Sequence, residues 1–311
     1  MEIRQLRYFV AIAQYGTFSK AAEKTFVAQS ALSHQLAQLE EELGARLFHR
    51  SHRGVELTEA GRIFQTHAVA ILRQIEDARS SVRSSIGQLT GKVVFGVPQS
   101  VSNALAVPLL QAVRQRYPQV ELELTEELTG NLTHQLRIGR LNLAVLFDDG
   151  QLGEFAYERM VTERLSLIRA AVPGERVSAK GVSLKKALTL PLILPADPHG
   201  VRPIIEAKAR ASGYPPPNVV ADISSVSILR TSLLAGLGQT LLPTMPLKHD
   251  IDAGLLHASP VVSPVLTRVV AICASKHIPV TAAADAVLRL TVELSHELCA
   301  SGQWADATPI A

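Results

Sequence analysis

Cysteine is nearly missing from this chain, with only Cys273 and Cys299 in 311 residues. Their separation forms no metal-ligand or redox spacing, which excludes a zinc knuckle or a disulfide framework and fits reduced thiols in a bacterial-type cytoplasm. Apolar runs stop well short of the ~18 residues a membrane span needs. The opening Met1-Glu2-Ile3-Arg4-Gln5 lacks the apolar core of a signal peptide. There is no Gly-rich phosphate loop, nucleophile elbow or convincing acid–base pair, so no catalytic residue, cofactor or metal site is expected. Charge of one sign is scarce too: the net value is +3, which neither demands nor excludes nucleic acid, because binding needs a local basic surface. Hydrophobic residues nevertheless reach 47%, enough for a sizeable core, and 311 residues call for two or three folding units.

Helical periodicity opens the chain. Leu6, Phe9, Val10 and Ala13 share one face, and Gly16 ends the run where a left-handed cap is wanted. Ser19 is placed to cap a short second helix, Lys20 to Lys24. After the turn Phe26-Val27-Ala28 a third helix runs from Gln29 to Leu43, with Leu32, Leu36, Leu39 and Leu43 in one stripe. Its N-terminal face carries Gln29, Ser30, Ser33 and His34, which are short enough to reach base edges and phosphates in a major groove. An ordinary polar helix face would look the same. Leu47 to Arg50 and Val55 to Leu57 then read as two strands joined by Ser51-His52-Arg53-Gly54, a hairpin with a basic tip. The basic cluster of Arg46, Arg50 and Arg53 is compatible with a solvated face. A wing directly after helix, turn, helix points instead to double-stranded DNA, with Arg50 and Arg53 beside phosphate or a narrow minor groove.

Several motifs fall in order and spacing: Ala21-Ala22-Glu23, Val27-Ala28-Gln29-Ser30-Ala31-Leu32-Ser33, Leu39-Glu40-Glu41-Glu42-Leu43-Gly44, Leu47-Phe48-His49-Arg50 and Leu57-Thr58-Glu59-Ala60-Gly61. Together they resemble the signature of LysR-type transcriptional regulators. The resemblance implies a helix-turn-helix over about Phe18 to Ala37, with Gln29, Ser30, Ser33 and His34 on the recognition helix and Arg50 and Arg53 at the wing. Two positions depart from the family pattern: Ser30 stands where proline is common, and His34 where arginine or glutamine is. Smaller matches, including Pro108-Leu109-Leu110-Gln111-Ala112-Val113-Arg114 and Gln303-Trp304, resemble the nitrogen assimilation control protein subgroup.

Thr58 is a plausible N-cap for a helix running to about Ile86, with Phe64, Ala68, Ile71, Ile75, Ala78 and Val82 on one stripe. That stripe can pack on its own domain. The family resemblance implies instead an antiparallel linker-helix pair in a homodimer, and beyond it a homotetramer. Gly87, Gly91 and the residues between mark a hinge.

From Val93-Val94-Phe95-Gly96-Val97 onward, apolar strands alternate with helical segments, which implies mainly parallel sheets covered on both faces. Val269 to Ala274 reads as a late strand returning to the first lobe. The expected fold class is therefore α+β and multi-domain: a winged helix-turn-helix over 1–58, a linker and dimerisation helix over 59–88, and two α/β lobes of periplasmic-binding-protein-like architecture over 89–311. Ligands in such lobes sit beyond the carboxyl ends of the strands. Gln99, Ser100, Thr129, His199 and Ser224 occupy such positions, although Ser100, Thr129 and Ser224 would equally serve as helix caps. Asp148 and Asp149 either repel an anion there or simply end a strand.

The function the LysR resemblance implies is that of a cytoplasmic, nucleoid-associated regulator. It binds an interrupted palindrome as an oligomer, responds to a small polar or anionic effector, and contacts RNA polymerase where it activates. A solute-binding protein with an accessory N-terminal domain would need export, and an enzyme using the cleft would need a catalytic constellation.

Overall fold

The computed structural model describes residues 1–51, 54–84, 89–172, 181–196 and 200–310. The chain divides into two units, Met1–Ile86 with Ile138–Arg140, and Gly87–Arg137 with Leu141–Ala311. His52, Arg53, Gly87 and His199 lie outside the described residues.

In the first unit α1 (Ile3–Tyr15) starts on a capping box in which the Glu2 N–H donates to Gln5 Oε1 at 2.8 Å. The next helix, α2 (Phe18–Thr25), is capped by Thr17, whose Oγ1 accepts from the Lys20 N–H at 3.2 Å. The sequence expectation of Ser19 as cap is thereby corrected by two residues: both hydroxyls precede the same apolar pattern, but only Thr17 has the extended backbone a cap needs. Then come α3 (Gln29–Leu43) and the antiparallel pair β1 (Phe48–Ser51) and β2 (Gly54–Leu57), with Phe48 opposite Leu57 and Ser51 opposite Gly54. Thr58 caps α4 (Glu59–Ser84) by accepting from the Gly61 N–H at 2.9 Å. Gly61 is required there, because an added Cβ would lie 2.1 Å from the Leu47 carbonyl oxygen. Leu6, Phe9, Ile12, Leu32, Leu36 and Leu39 form the core, and the Phe64 ring of α4 meets Phe9 edge-on at 4.9 Å. Burial of one such ring contributes roughly 2–3 kcal/mol.

The second unit begins with β3 (Gly91–Pro98), so Gly91 opens a strand, followed by α5 (Gln99–Arg116), β4 (Val120–Glu127), α6 (Thr129–Arg137), β5 (Leu143–Asp148) and β6 (Phe155–Arg164). The chain crosses at Leu165 into a second lobe containing β7 (Ser166–Ala170), β8 (Val182–Ser183), α7 (Leu184–Ala187), β9 (Leu192–Leu194) and α8 (Arg202–Ala211). It continues through β10 (Val219–Asp222), α9 (Val226–Leu234), β11 (Thr240–Leu242), α10 (Lys248–Asp252) and β12 (Leu256–Ser263). It then returns with β13 (Thr267–Ser275), α11 (Ala282–Ala300) and β14 (Ala307–Pro309).

The first-lobe sheet has the order β14-β6-β13-β5-β3-β4. Only the β5-β3-β4 side is parallel; β13 runs antiparallel to both β5 and β6. A mainly parallel sheet is thus corrected to a mixed one, because the returning strand enters between two elements that leave. Alternation along β5 divides its side chains: Val145 and Phe147 face α5 and α11, whereas Ala144 and Leu146 face α6. In the second lobe the sheet runs β11-β7-β12-β8, and the parallel pair β9 and β10 adjoins it through a Leu192–Gln239 bridge.

Candidate DNA-reading face and effector cleft

Gln29, Ser30 and His34 are exposed at the start of α3 and Ser33 is half-buried. Gln29 is held in place: its Oε1 accepts from the Ser19 hydroxyl at 2.9 Å, which leaves its amide N–H groups to face outward. On the wing, the guanidinium of Arg50 lies 4.8 Å from the centroid of the Phe18 ring, so part of its role is to lean the hairpin against α2. Beside its tip the hairpin is held by the Val55 N–H donating to the Gly16 carbonyl at 2.9 Å.

One residue that sequence reasoning missed sets the angle between helix and wing. Glu40, in the last turns of α3, is buried; its Oε1 accepts from the Leu47 N–H and its Oε2 pairs with Arg46, both at 2.8 Å. Arg46 is therefore committed to this carboxylate rather than standing free in the basic cluster. Glu40 sits in an all-acidic triplet that reads as solvated, so nothing in the pattern singles it out.

Along α4, Phe64 and Ala68 join the first unit's core and Leu72 packs against it. Farther along, Ile71 is 38% and Val82 69% exposed. The stripe is split: Phe64 and Ala68 cover the domain, whereas Ile71, Ala78 and Val82 stand exposed and Ile75 is half-buried.

Gln99, Ser100, Thr129 and Ser224 are brought together around one cavity of about 60 Å³ between the lobes of the second unit. This happens because β3 and β4 end beside the start of α9. Three of the polar side chains, those of Gln99, Ser100 and Ser224, are already engaged. Gln99 Oε1 accepts from the Val226 N–H at 2.9 Å, a bond that crosses from one lobe to the other. Ser100 lies inside the first turn of α5 and accepts from Arg268 at 3.0 Å. Ser224 accepts from the Ala196 N–H at 3.2 Å, and the cap of α9 is Ser225. Helix capping is thus not what Ser100 and Ser224 do.

Arg268 lines this cavity and was not anticipated. Its Nε donates to Glu163 Oε2 at 2.6 Å, and its guanidinium stacks 4.0 Å from the Phe147 centroid. Trp304 Nε1 donates to the other carboxylate oxygen at 2.9 Å. The signal available in sequence was a lone arginine at the mouth of the apolar strand Val269 to Ala274. A neighbouring hollow of about 200 Å³ shares Thr129, Phe147 and Gly200 with the first. Asp148 at the end of β5 is paired with Arg159 at 2.7 Å, and Asp149 accepts from the Gln151 N–H at 3.0 Å. Both acids therefore serve to finish the strand. Burial pushes the Cys273 thiol up to about 12 and Cys299 to about 11, so neither is a thiolate at neutral pH. Among the described residues no helix is long and apolar enough to cross a membrane.

Residues 3–62 match the family of bacterial regulatory helix-turn-helix proteins of the lysR type, and residues 87–295 match the LysR substrate binding domain. The chain belongs to the LysR family of transcriptional regulators. It is a DNA-binding regulator with an effector-binding domain. It is 36% identical over 246 residues to the nitrogen assimilation regulatory protein nac of Klebsiella aerogenes, covering 78% of each chain. Its similarity to the protein of the same name from Escherichia coli K12 is 34% over 245 residues, again 78% of each. Among solved structures, a full-length OxyR variant from Pseudomonas aeruginosa shares the fold with a TM-score of 0.68 at 24% identity, covering 95% of both chains. The resemblance to the nitrogen assimilation control subgroup agrees with these relatives.

Proposed function

We propose that this LysR-type regulator has three working parts, 1–58 for DNA, 59–88 for pairing and 89–311 for the effector. It reads an interrupted palindrome through Gln29, Ser30, Ser33 and His34, with Arg50 and Arg53 of the wing on the flanking backbone. The observation that carries this reading is the N-terminal face of α3, where Gln29, Ser30 and His34 are exposed in a helix fixed to the wing by Glu40. A single module meets few base pairs; two related by symmetry meet two half-sites about one helical turn, or a multiple of it, apart. The uncovered half of the α4 stripe supports α4 as the pairing surface.

The effector enters between the lobes and contacts Gln99, Ser100, Thr129, His199 and Ser224, with Arg268 also lining the cavity. It is small and polar or anionic. The protein is cytoplasmic and nucleoid-associated, acts without catalysis, and engages RNA polymerase at the promoters it activates; its regulated genes concern nitrogen use. Footprinting of the full chain on its own genomic fragments tests the reading. Two protected half-sites with shared symmetry are expected, and protection without any symmetric repeat would count against it.

A further inference from the structure

Phe26, at the end of α2, is 95% exposed, more than any other large hydrophobic side chain among the described residues. Its backbone is also left-handed, with φ 56° and ψ 42°. The turn requires that geometry: the Phe26 N–H closes onto the carbonyls of Ala22 and Glu23, a bond any residue could supply. The same unit ends α1 and α3 in the left-handed region too, and at both places it uses glycine, Gly16 and Gly44. At the third such end stands an aromatic residue, whose Cβ disfavours this backbone and whose ring gains almost no burial from the fold. A turn residue alone would be glycine or asparagine, and an exposed residue alone would be polar. Phe26 meets neither demand, so the ring answers to something outside the chain.

Its position says what. Phe26 stands three residues before Gln29, and beyond the half-buried Val27 the exposed surface continues through Ala28, Gln29 and Ser30 into the start of α3. We propose that Phe26 is a further DNA-contacting residue, laying its ring against a thymine methyl or a deoxyribose at the edge of the groove that α3 enters. The inference rests on the reading of α3 as the recognition helix. The contact is apolar, so it adds affinity and preference for thymine without adding a phosphate contact.

The test uses the full chain and one duplex selected from a randomised pool by the wild-type protein. Phe26→Asn suits the left-handed backbone, so its Tm is expected to rise by about 2–4 °C. Its affinity for the selected duplex is expected to fall about tenfold, with an unchanged salt slope. Phe26→Tyr, which keeps the ring, is expected to bind within about twofold of wild type. Wild-type affinity in Phe26→Asn, alongside a loss in Gln29→Ala, would overturn the inference and leave the α3 reading standing. Wild-type affinity in both variants would remove the α3 reading itself. A lowered Tm would place the ring in the fold, and a smaller sedimentation coefficient would place it between copies; either result overturns the proposal.

Discussion

Replacing Glu163 with Gln separates charge from shape at the most deeply buried ion pair among the described residues. Glu163 is 0% and Arg268 2% exposed. Glutamine fills the same volume and can still accept from the Trp304 indole, but it leaves Arg268 without its counter-charge. Removing one partner of a buried pair costs about 3–5 kcal/mol. The stacking of Arg268 on Phe147 and its bond to Ser100 are present in wild type and variant alike, so they leave that difference unchanged. A destabilisation of about 3–5 kcal/mol is expected. Trp304 is the sole tryptophan and touches the pair, so its fluorescence during urea titration reports the unfolding of this unit. The expected midpoint drop comes with an unchanged slope. Replacing both partners, Glu163→Gln with Arg268→Met, should cost less than the two single changes added together, because no unpaired charge is left behind. A single-variant loss below about 1 kcal/mol, or strict additivity in the double variant, would refute the reasoning.

On the DNA side, Arg53→Ala is expected to lower the slope of log affinity against log salt by about one unit, and equal slopes would remove the wing–phosphate contact. Ser33→Ala should change the ranking of operator variants; a uniform loss across all of them would mean that Ser33 only positions the helix. Introducing Glu at both Ile71 and Ile75 should split the oligomer, and an unaltered sedimentation profile would sink α4 as the pairing surface. In the second lobe, Arg230 donates twice to Asp250 at 2.6 Å and holds its carboxyl below the ordinary 3.8. A depressed carboxylate contributes stability above the unfolded pKa and loses it as pH falls through the folded one. Asp250→Asn should therefore cost about 1–2 kcal/mol at neutral pH, the half-exposed Arg230 keeping the figure modest. The gap from wild type should close as pH drops below about 4, and a gap independent of pH would contradict it.

How much of this was legible in the sequence follows the range of the interactions. The helix-turn-helix is built from contacts a few residues apart, so periodicity and glycine stops located α1, α3 and both wing strands. The cap of α2 slipped by two residues because Thr17 and Ser19 offer the same hydroxyl, and only backbone conformation separates them. The cleft residues were legible because strand ends converge wherever lobes of this kind form, which brought Gln99, Ser100, Thr129 and Ser224 to one cavity. Arg268 and Glu163 are 105 residues apart and meet only because β13 pairs with β6. That strand escaped the pattern: along Phe155 to Arg164 four exposed residues follow the first buried one, so the period of two is lost.

The cleft also constrains how an effector can act. A ligand shifts an equilibrium only by its unequal affinity for the two arrangements. In the arrangement seen here the side-chain carbonyl of Gln99 already holds the Val226 N–H of the opposite lobe, beside a cavity that shares Thr129, Phe147 and Gly200 with the neighbouring hollow of about 200 Å³. A ligand that draws the lobes apart gives up that bond and must offset it with contacts of its own. The lobes are joined by the two crossing segments at Leu165 and Leu266, themselves bonded by the Leu165 N–H to the Leu266 carbonyl at 2.8 Å. A change of angle between the lobes that keeps both sheets whole would have to bend at those residues. Each 1.4 kcal/mol by which a ligand prefers one form moves the population about tenfold. The loss of one lobe-crossing hydrogen bond, about 0.5–1.5 kcal/mol, is of the same order as that step.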